Sequence, residues 1–405
     1  MLSRIDNGHV LGIAAFSVPI LGVYAPLSLA PLIMAVAVAA VAVRRARDGA
    51  WPNILGFAAL VCALAMVWSA VSILWSIDPA TAHISKLVRL ALLLLAGLTL
   101  IDCARALKPD GRDRFQKFMI AGMVIAALLM LVDRVSEGAV RQLIPGARES
   151  WAVMMVQFNR SMTIFALMVW PVTLVIWRRS PALAIVFCAA ILALVSGFNS
   201  AAAIIAIIAG MLCFVLTFLL PRILPAVVAL GVLISIFAGP YVSHQISPAK
   251  MAKMAGMSIP NSAYHRLLIW QFTSGKIAER PLLGWGFNSS KTIPGNKRDI
   301  WKGSAVLPLH PHNAWLQWWL ELGVVGATLG VVLGGGIALR QRDPHLGRAE
   351  RAASLALLVA AFLVGGVSYG VWQSWWVATI LFAAIFMVGC LSPPDQRRAE
   401  LRSSQ

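Results

Sequence analysis

The sequence predicts an all-α polytopic membrane protein with about twelve transmembrane helices and one large loop late in the chain. Of the 405 residues, 60% are hydrophobic and only 12% are charged, whereas a soluble protein carries about 25% charged residues. The mean hydropathy is +0.80. Apolar runs long enough to cross a bilayer, roughly 17–25 residues each, recur along the chain. These three observations exclude an ordinary soluble enzyme.

Twelve apolar segments are candidates for membrane spans, and the first and seventh are short. They cover residues 10–24, 26–43, 53–75, 85–102, 115–133, 158–177, 182–197, 200–219, 222–240, 314–339, 351–369 and 372–391. The N-terminus, MLSRIDNGHV, does not resemble a cleavable signal, so we expect the first apolar run to be retained as a helix.

Basic residues fall in alternate connectors between these segments. They are Arg44, Arg45, Arg47, Arg105, Lys108, Arg112, Arg114, Arg178, Arg179, Arg222, Arg340, Arg342, Arg348, Arg351, Arg397, Arg398 and Arg402. Because cytoplasmic connectors are enriched in Lys and Arg, this pattern predicts that both termini are cytoplasmic. The expected organisation is spans one to nine over 1–240, an external (periplasmic) loop over 241–313, spans ten to twelve over 314–391, and a cytoplasmic tail over 392–405.

The long external loop is basic, although basic residues are normally enriched in cytoplasmic connectors. A net charge of +18 can indicate nucleic-acid binding, but in a polytopic protein we expect membrane lipids and no nucleic acid as partners. One interpretation is tolerance, since long loops translocate regardless of charge. The alternative, an outward-facing anion site, is favoured because Tyr264, Trp270, Phe272 and Trp285 lie between the basic residues.

The same loop is not expected to be a simple linker. Residues 262–280 have the spacing of an amphipathic helix that could lie in the outer membrane interface. A loop of about 70 residues with its own helix is more typical of a functional lid.

Two histidines precede the tenth span in the stretch LHPHN. His312 follows Pro311, which restricts the backbone, and precedes Asn313, a favoured helix N-cap residue. A neutral imidazole can take a proton from a hydroxyl, because the ordinary histidine pKa lies near neutrality. For His310, a capping role at the interface is the favoured alternative.

Polar and small residues then recur along the tenth span. Gln317 and Glu321 follow Asn313 at fourfold spacing, which predicts one polar stripe facing an interior cavity. Gly323, Gly326 and Gly330 are predicted to share a face for close helix packing.

Neither a disulfide framework nor a metal or cofactor site is predicted. The five cysteines lie in or beside apolar segments without paired loop spacing. There is no Asp-x-Asp pair, and Asp110 and Asp113 are predicted to be cytoplasmic.

The spacing from His312-Asn313 through nine residues to Gly323 and Gly326 gives H-N-x9-G-x-x-G. This pattern resembles the signature of the O-antigen ligase and polymerase superfamily. The stretches Tyr264-His265-Arg266 and PLLGWG (281–286) are similar to the external-loop pattern of that family. Many spans with one large external loop form an arrangement that is GT-C-like.

The resemblance implies a glycosyltransferase in the bacterial inner membrane, with its active site facing the periplasm. The donor would be a glycan linked to undecaprenyl pyrophosphate, and the ligase acceptor would be a sugar hydroxyl of lipid A–core. Such a transfer needs a base for the hydroxyl and cations for the departing pyrophosphate. We expect His312 to be the base, without a metal and with inversion at the anomeric carbon.

Arginine binds phosphate through its planar fork, so Arg160 and Arg266 are the first candidates for the pyrophosphate. Further candidates for donor binding are Arg89, Lys86, Arg280, Arg148, Tyr264, Asn313 and His310. For Lys86 and Arg89, contact with lipid headgroups is an equal alternative. The sequence departs from its relatives at SGFNSAAA (196–203), where many carry a Ser-Arg pair; Arg160 is the candidate replacement.

Three alternative functions remain open. The polymerase of the same superfamily shares the signature, although the basic late loop favours the ligase. A protein O-oligosaccharyltransferase is disfavoured because the C-terminal tail is short. A transporter for anionic solutes typically shows internal repeats and mid-membrane helix breaks, and the sequence shows no convincing repeat.

Overall fold

The computed structural model describes residues 5–78, 80–144, 150–246, 260–301 and 304–392, and these are almost entirely helical. The α-helices are α1 Asn7–Tyr24, α2 Leu29–Asp48, α3 Phe57–Ser72, α4 Ala80–Arg105, α5 Pro109–Val135, α6 Ala139–Gln142, α7 Trp151–Gln157, α8 Asn159–Trp177, α9 Pro181–Ser196, α10 Ala201–Leu219, α11 Leu224–Gln245, α12 Asn261–Glu279, α13 Ala314–Arg340, α14 Arg348–Val367 and α15 Ser374–Cys390. Short 3-10 turns cover Pro26–Ser28, Ile73–Trp75 and Ser289–Thr292.

Each of the twelve predicted spans coincides with one of these helices. In the described part of the chain, ten helices are long and apolar enough to cross a membrane, by length and composition. The other two segments form the shorter apolar helices α9 and α15, of 16 and 17 residues. The prediction of an all-α polytopic membrane protein is confirmed. A small antiparallel pair of strands, β1 Asp299–Trp301 and β2 Ser304–Ala305, was not predicted.

One end of the bundle gathers the predicted basic connectors. Arg112, at the start of α5, donates to the carbonyls of Gly389 and Leu391. Arg114 pairs with Asp6 at 2.9 Å. Residues near both ends of the described chain therefore meet here, and we call this the terminal end, defined by Asp6, Arg112 and Leu391.

The opposite end gathers the predicted external connectors. The Tyr24 hydroxyl donates to Asp133 at 2.9 Å, joining the last turns of α1 and α5. The indole of Trp319, near the start of α13, donates to Ile236 O in α11 at 2.8 Å. Since it also holds His312, we call it the site end. Connectors between the helices lie alternately at the terminal end and at the site end, as the charge pattern predicts.

Helix α13 is broken at Gly323, which has φ 63° and ψ −158°. The Pro-Leu-Leu-Gly-Trp-Gly segment of the long loop fills this break. Trp285 N donates to Leu320 O at 2.8 Å, and Val324 N donates to Pro281 O at 2.9 Å. A break within an apolar helix is tolerated where other protein groups satisfy the freed backbone atoms, and this loop segment does so.

The prediction that Gly323 shares a helical face with Gly326 and Gly330 is wrong. Gly323 adopts the left-handed region, where residues with a side chain are strained. A Cβ at this position would also lie 2.1 Å from Leu282 O. Gly326 and Gly330 do lie in the helix, and Gly330 packs against the ring of Trp318.

Helix α12 coincides with the amphipathic segment predicted at 262–280. Its buried residues include Ile269, Thr273 and Ile277, which recur at fourfold spacing on one face. This face packs against α11 and α13, so the helix is held over the site end of the bundle. Its position in a lipid interface stays a prediction.

Candidate active site

The backbone at His312 has φ 54°, a left-handed conformation that is uncommon for residues other than glycine. Directly after it, Asn313 caps helix α13. The Asn313 side-chain oxygen accepts hydrogen bonds from the backbone N–H groups of Trp315 and Leu316, each at 3.0 Å. The cap fixes the start of the helix, and the turn before it presents the imidazole toward the loop after α14.

A backbone carbonyl orients the imidazole of His312. Its Nδ1 lies 2.9 Å from Ser368 O. Because a carbonyl only accepts, Nδ1 must carry the proton, and in the neutral ring Nε2 then holds the lone pair. A ring nitrogen with a free lone pair and a fixed orientation is the arrangement required of a general base.

Burial lowers the pKa of His312 below its ordinary value. The hydrogen bond to Ser368 opposes this shift, and the charges of Arg266 and His265 add to it. His312 is therefore neutral near pH 7, with Nε2 ready to accept a proton.

His310 packs beside His312, with ring centroids 4.4 Å apart. The backbone N–H of His312 donates to His310 Nδ1 at 3.1 Å, and His310 Nε2 lies 2.9 Å from Gln373 Nε2. Burial, with the charges of His312 and Lys86, lowers the pKa of His310 to about 3. It stays neutral across the physiological range, so its contacts position His312.

The two arginines predicted to bind pyrophosphate both lie near Tyr369. Arg266 Nη1 donates to Val367 O at 2.9 Å. Arg160 is exposed, and its guanidinium lies 5.8 Å from the ring centroid of Trp375, which packs edge-on against Tyr369. Burial raises the pKa of Tyr369, while the charges of both arginines oppose the shift. The structure therefore brings His312, Arg266 and Arg160 to one region.

Glu321 lies at the base of this region and is fully buried. Its carboxylate accepts from Asn288 N at 2.6 Å, Trp372 Nε1 at 2.5 Å and Gln317 Nε2 at 3.0 Å. The hydroxyl and the backbone N–H of Ser290 also donate to it. The predicted polar stripe on α13 is thus interior, and Glu321 joins three separate segments of the chain.

Lys86 reaches the same network from α4. Its Nζ donates to Asn288 Oδ1 at 2.5 Å. Lys291, on the loop above, pairs with Asp78 at 3.1 Å. Arg89 is exposed one turn along α4 from Lys86. Lys86 is therefore tied to the site by a direct contact with Asn288.

The remaining candidates lie on other parts of the chain. Arg280 stacks on the ring of Trp285 at 4.2 Å. Tyr264 is half-buried on α12, and Arg148 lies outside the described residues. At the turn that lacks the family arginine, Arg134 of α5 donates to Gly197 O at 2.8 Å.

The loop between α14 and α15, residues 368–373, was missed by the sequence analysis. It supplies Ser368 O to His312, Gln373 to His310 and Trp372 to Glu321. Val371 N also donates to Gln317 Oε1 at 2.9 Å. Most of this loop lies within the predicted bounds of spans eleven and twelve, 351–369 and 372–391. The stretch SYGVWQS (368–374), which interrupts two apolar runs with polar residues, could have indicated this loop.

Possible metal-binding side chains can be compared across the part of the chain that the structure describes. Among the residues that the structure describes, His, Cys, Asp and Glu form no group of three suited to a metal ion. All five cysteines are free.

The fold and the site define a polytopic membrane protein with a neutral histidine and several arginines at one end of its helix bundle. The sequence pattern of the family described as O-antigen ligase matches residues 187–331, a range that contains Arg266, His312, Glu321 and Gly323. This agreement confirms the resemblance found in the sequence: residues 187–331 are similar to the O-antigen ligase family.

Relatives are similar over most of the chain. A protein of Rickettsia felis named "Putative polysaccharide ligase" is 27% identical over 334 residues, covering 80% of this chain and 79% of the relative. A protein of Rickettsia bellii with the same name is 28% identical over 333 residues, covering 80% of this chain and 78% of the relative. The superfamily and these names indicate an enzyme of the ligase or glycosyltransferase kind, acting on glycan and lipid substrates in a membrane.

Proposed function

We propose that this protein transfers a glycan from undecaprenyl pyrophosphate to a sugar hydroxyl of lipid A–core, as an O-antigen ligase. The site end would face the periplasm of the bacterial inner membrane, with both termini in the cytoplasm. The observation that carries the proposal is the hydrogen bond from His312 Nδ1 to Ser368 O, which leaves Nε2 as a base beside arginines.

The reaction is a single displacement at the anomeric carbon of the donor. The acceptor oxygen forms the new bond to this carbon while its proton passes to His312 Nε2. The bond from the carbon to the pyrophosphate oxygen breaks, and undecaprenyl pyrophosphate leaves with the electron pair. Because attack and departure occur on opposite faces, the anomeric configuration inverts.

The departing pyrophosphate gains negative charge, and the cations at the site would stabilise it. Arg266 donates one hydrogen bond, to Val367 O, among the described residues, and its other N–H groups would bind phosphate oxygens. Arg160 is exposed, and its planar fork suits bidentate binding. Lys86 would add a further positive charge from α4. The proposal thus assigns the stabilisation of the leaving group to side chains rather than to a metal.

The basic long loop supports the ligase over the polymerase, because lipid A–core is itself phosphorylated. The relatives from Rickettsia felis and Rickettsia bellii are named as polysaccharide ligases, which agrees with this choice. The polymerase of the same superfamily is the alternative, and the two activities differ in product.

The decisive experiment incubates the purified protein with undecaprenyl-pyrophosphate glycan and lipid A–core without added metal. Glycosylated lipid A–core is the expected product, and its new linkage should be inverted by NMR. Lengthened lipid-linked glycan would assign the protein to the polymerases instead. Retention at the anomeric carbon would contradict the role of His312 as base in a single displacement.

A further inference from the structure

A second cavity lies at the terminal end of the bundle, opposite the candidate active site. Its volume is about 510 Å³, within the range of roughly 300–1,000 Å³ that is typical of small-molecule sites. It opens between α3, α4, the last turns of α13 and the end of α15. None of the residues described above at the site end lines it.

The walls of this cavity are apolar on the side of the membrane interior. They are formed by Phe57, Ala58, Ala59, Leu98, Ile101 and Ile337. These side chains belong to α3, α4 and α13, all of which are candidate membrane spans. A hydrocarbon chain can therefore lie along them without exposing polar backbone groups.

The rim of the cavity is basic and contains Arg105, Arg112 and Arg340. The guanidinium of Arg340 stacks on the ring of Phe57 at 4.6 Å. Arg112 is buried and donates to the backbone carbonyls of Gly389 and Leu107. These contacts hold two positive charges at the mouth of an apolar cleft.

Among the residues that the structure describes, the rim has no acidic side chain of its own. Of the residues that line the cavity in the described chain, none is Asp or Glu. Within the same described ranges, neither Arg105 nor Arg340 forms an ion pair. The cleft therefore presents net positive charge above an apolar wall, which is complementary to a molecule with an anionic head and a hydrocarbon tail.

We propose that this cleft binds one anionic phospholipid from the membrane leaflet at the terminal end. Its phosphate lies between Arg105 and Arg340, and one acyl chain follows the apolar wall formed by α3 and α4. Arginine binds phosphate oxygens through paired N–H groups. Basic pockets between transmembrane helices are known to take anionic headgroups, and a soluble anion would leave the apolar wall unused.

Native mass spectrometry of the purified full-length protein tests the proposal with two lipids of identical acyl chains. The wild-type protein should retain one phosphatidylglycerol and release phosphatidylcholine. The double variant R105Q/R340Q should bind phosphatidylglycerol roughly thirtyfold more weakly, since each basic residue near a headgroup contributes about 1 kcal/mol. The matched control is R342Q/R348Q, which removes two exposed arginines from the same end, outside the cavity.

A second variant separates the apolar wall from the charge. A59F fills the cleft while all arginines remain, so it should also lose the bound phosphatidylglycerol. The proposal is overturned if both variants retain the lipid as the wild-type protein does, or if phosphatidylcholine is retained equally. Displacement of the lipid by inorganic phosphate alone would assign the rim to a free anion and overturn the lipid proposal.

Discussion

Gly284 and Gly323 pack against each other so closely that neither position can hold a side chain. A Cβ at Gly284 would lie 2.6 Å from Gly323 N, and a Cβ at Gly323 would lie 2.8 Å from Gly284 N. Both residues also have positive φ, 69° and 63°. The glycines of the loop motif and of the helix motif thus form one contact, which holds the long loop in the break of α13.

The substitution Gly323→Ala is therefore expected to destabilise the protein by roughly 2–5 kcal/mol, from left-handed strain and overpacking. Thermal unfolding in detergent measures the loss. Gly231→Ala is the matched control, because a Cβ at Gly231 meets nothing within 4 Å; it should change stability by less than about 1 kcal/mol. Equal unfolding temperatures for the two variants would contradict the proposed contact.

The substitution His312→Ala should lower the rate of glycan transfer by about 10²–10⁴, the usual contribution of general acid–base catalysis. The readout is product formation by purified protein with donor and acceptor at saturation. His345→Ala is the control, since His345 is exposed at the terminal end. Transfer at the wild-type rate by a folded His312→Ala protein would remove His312 from the reaction.

The pH dependence of transfer follows from the lowered pKa of His312. A lowered pKa means that protonation of Nε2 requires more acid, so the base stays active below the ordinary histidine value of 6.5. We expect kcat/KM to remain level from neutral pH through 6.5 and to fall only in more acidic solution. A decrease in kcat/KM that begins at or above pH 6.5, measured at constant ionic strength, would contradict the lowered pKa of His312.

The substitution Glu321→Gln should destabilise the site end by roughly 2–4 kcal/mol. The carboxylate accepts hydrogen bonds through two oxygens, whereas the glutamine amide has one acceptor oxygen for the same donors. Transfer should fall with it, since Asn288 and Trp372 lose their anchor. Glu137→Gln is the control at an exposed carboxylate of the same end. If Glu321→Gln unfolds at the wild-type temperature and transfers glycan normally, the carboxylate is not the organising group.

The substitution Arg266→Lys should raise the KM for the donor about tenfold or more, because lysine keeps the charge but loses the paired N–H groups. The value of kcat should change less, as His312 is untouched. Arg280→Lys serves as the comparison at the opposite end of the same helix, where the arginine stacks on Trp285. An unchanged KM for Arg266→Lys would shift the pyrophosphate site toward Arg160 and Lys86.

Much of this fold could be predicted from the sequence because membrane spans depend on local apolar runs and on the side of their flanking charges. The histidine, the helix cap and the interior position of Glu321 also followed from local spacing. The partners of Glu321 did not, since Asn288 and Trp372 are 33 and 51 residues away. The break at Gly323 was missed for the same reason, because it depends on a loop segment about 40 residues earlier.

The loop 368–373 has a consequence for the making of the protein. His312 and Glu321 both take partners from this loop, which is synthesised after eleven of the twelve apolar helices. A ribosome-bound chain that ends before this loop emerges would already hold its helices in the membrane and yet lack an oriented base. In the proposed reaction, transfer would therefore depend on residues 368–373, because the carbonyl that orients His312 comes from this loop.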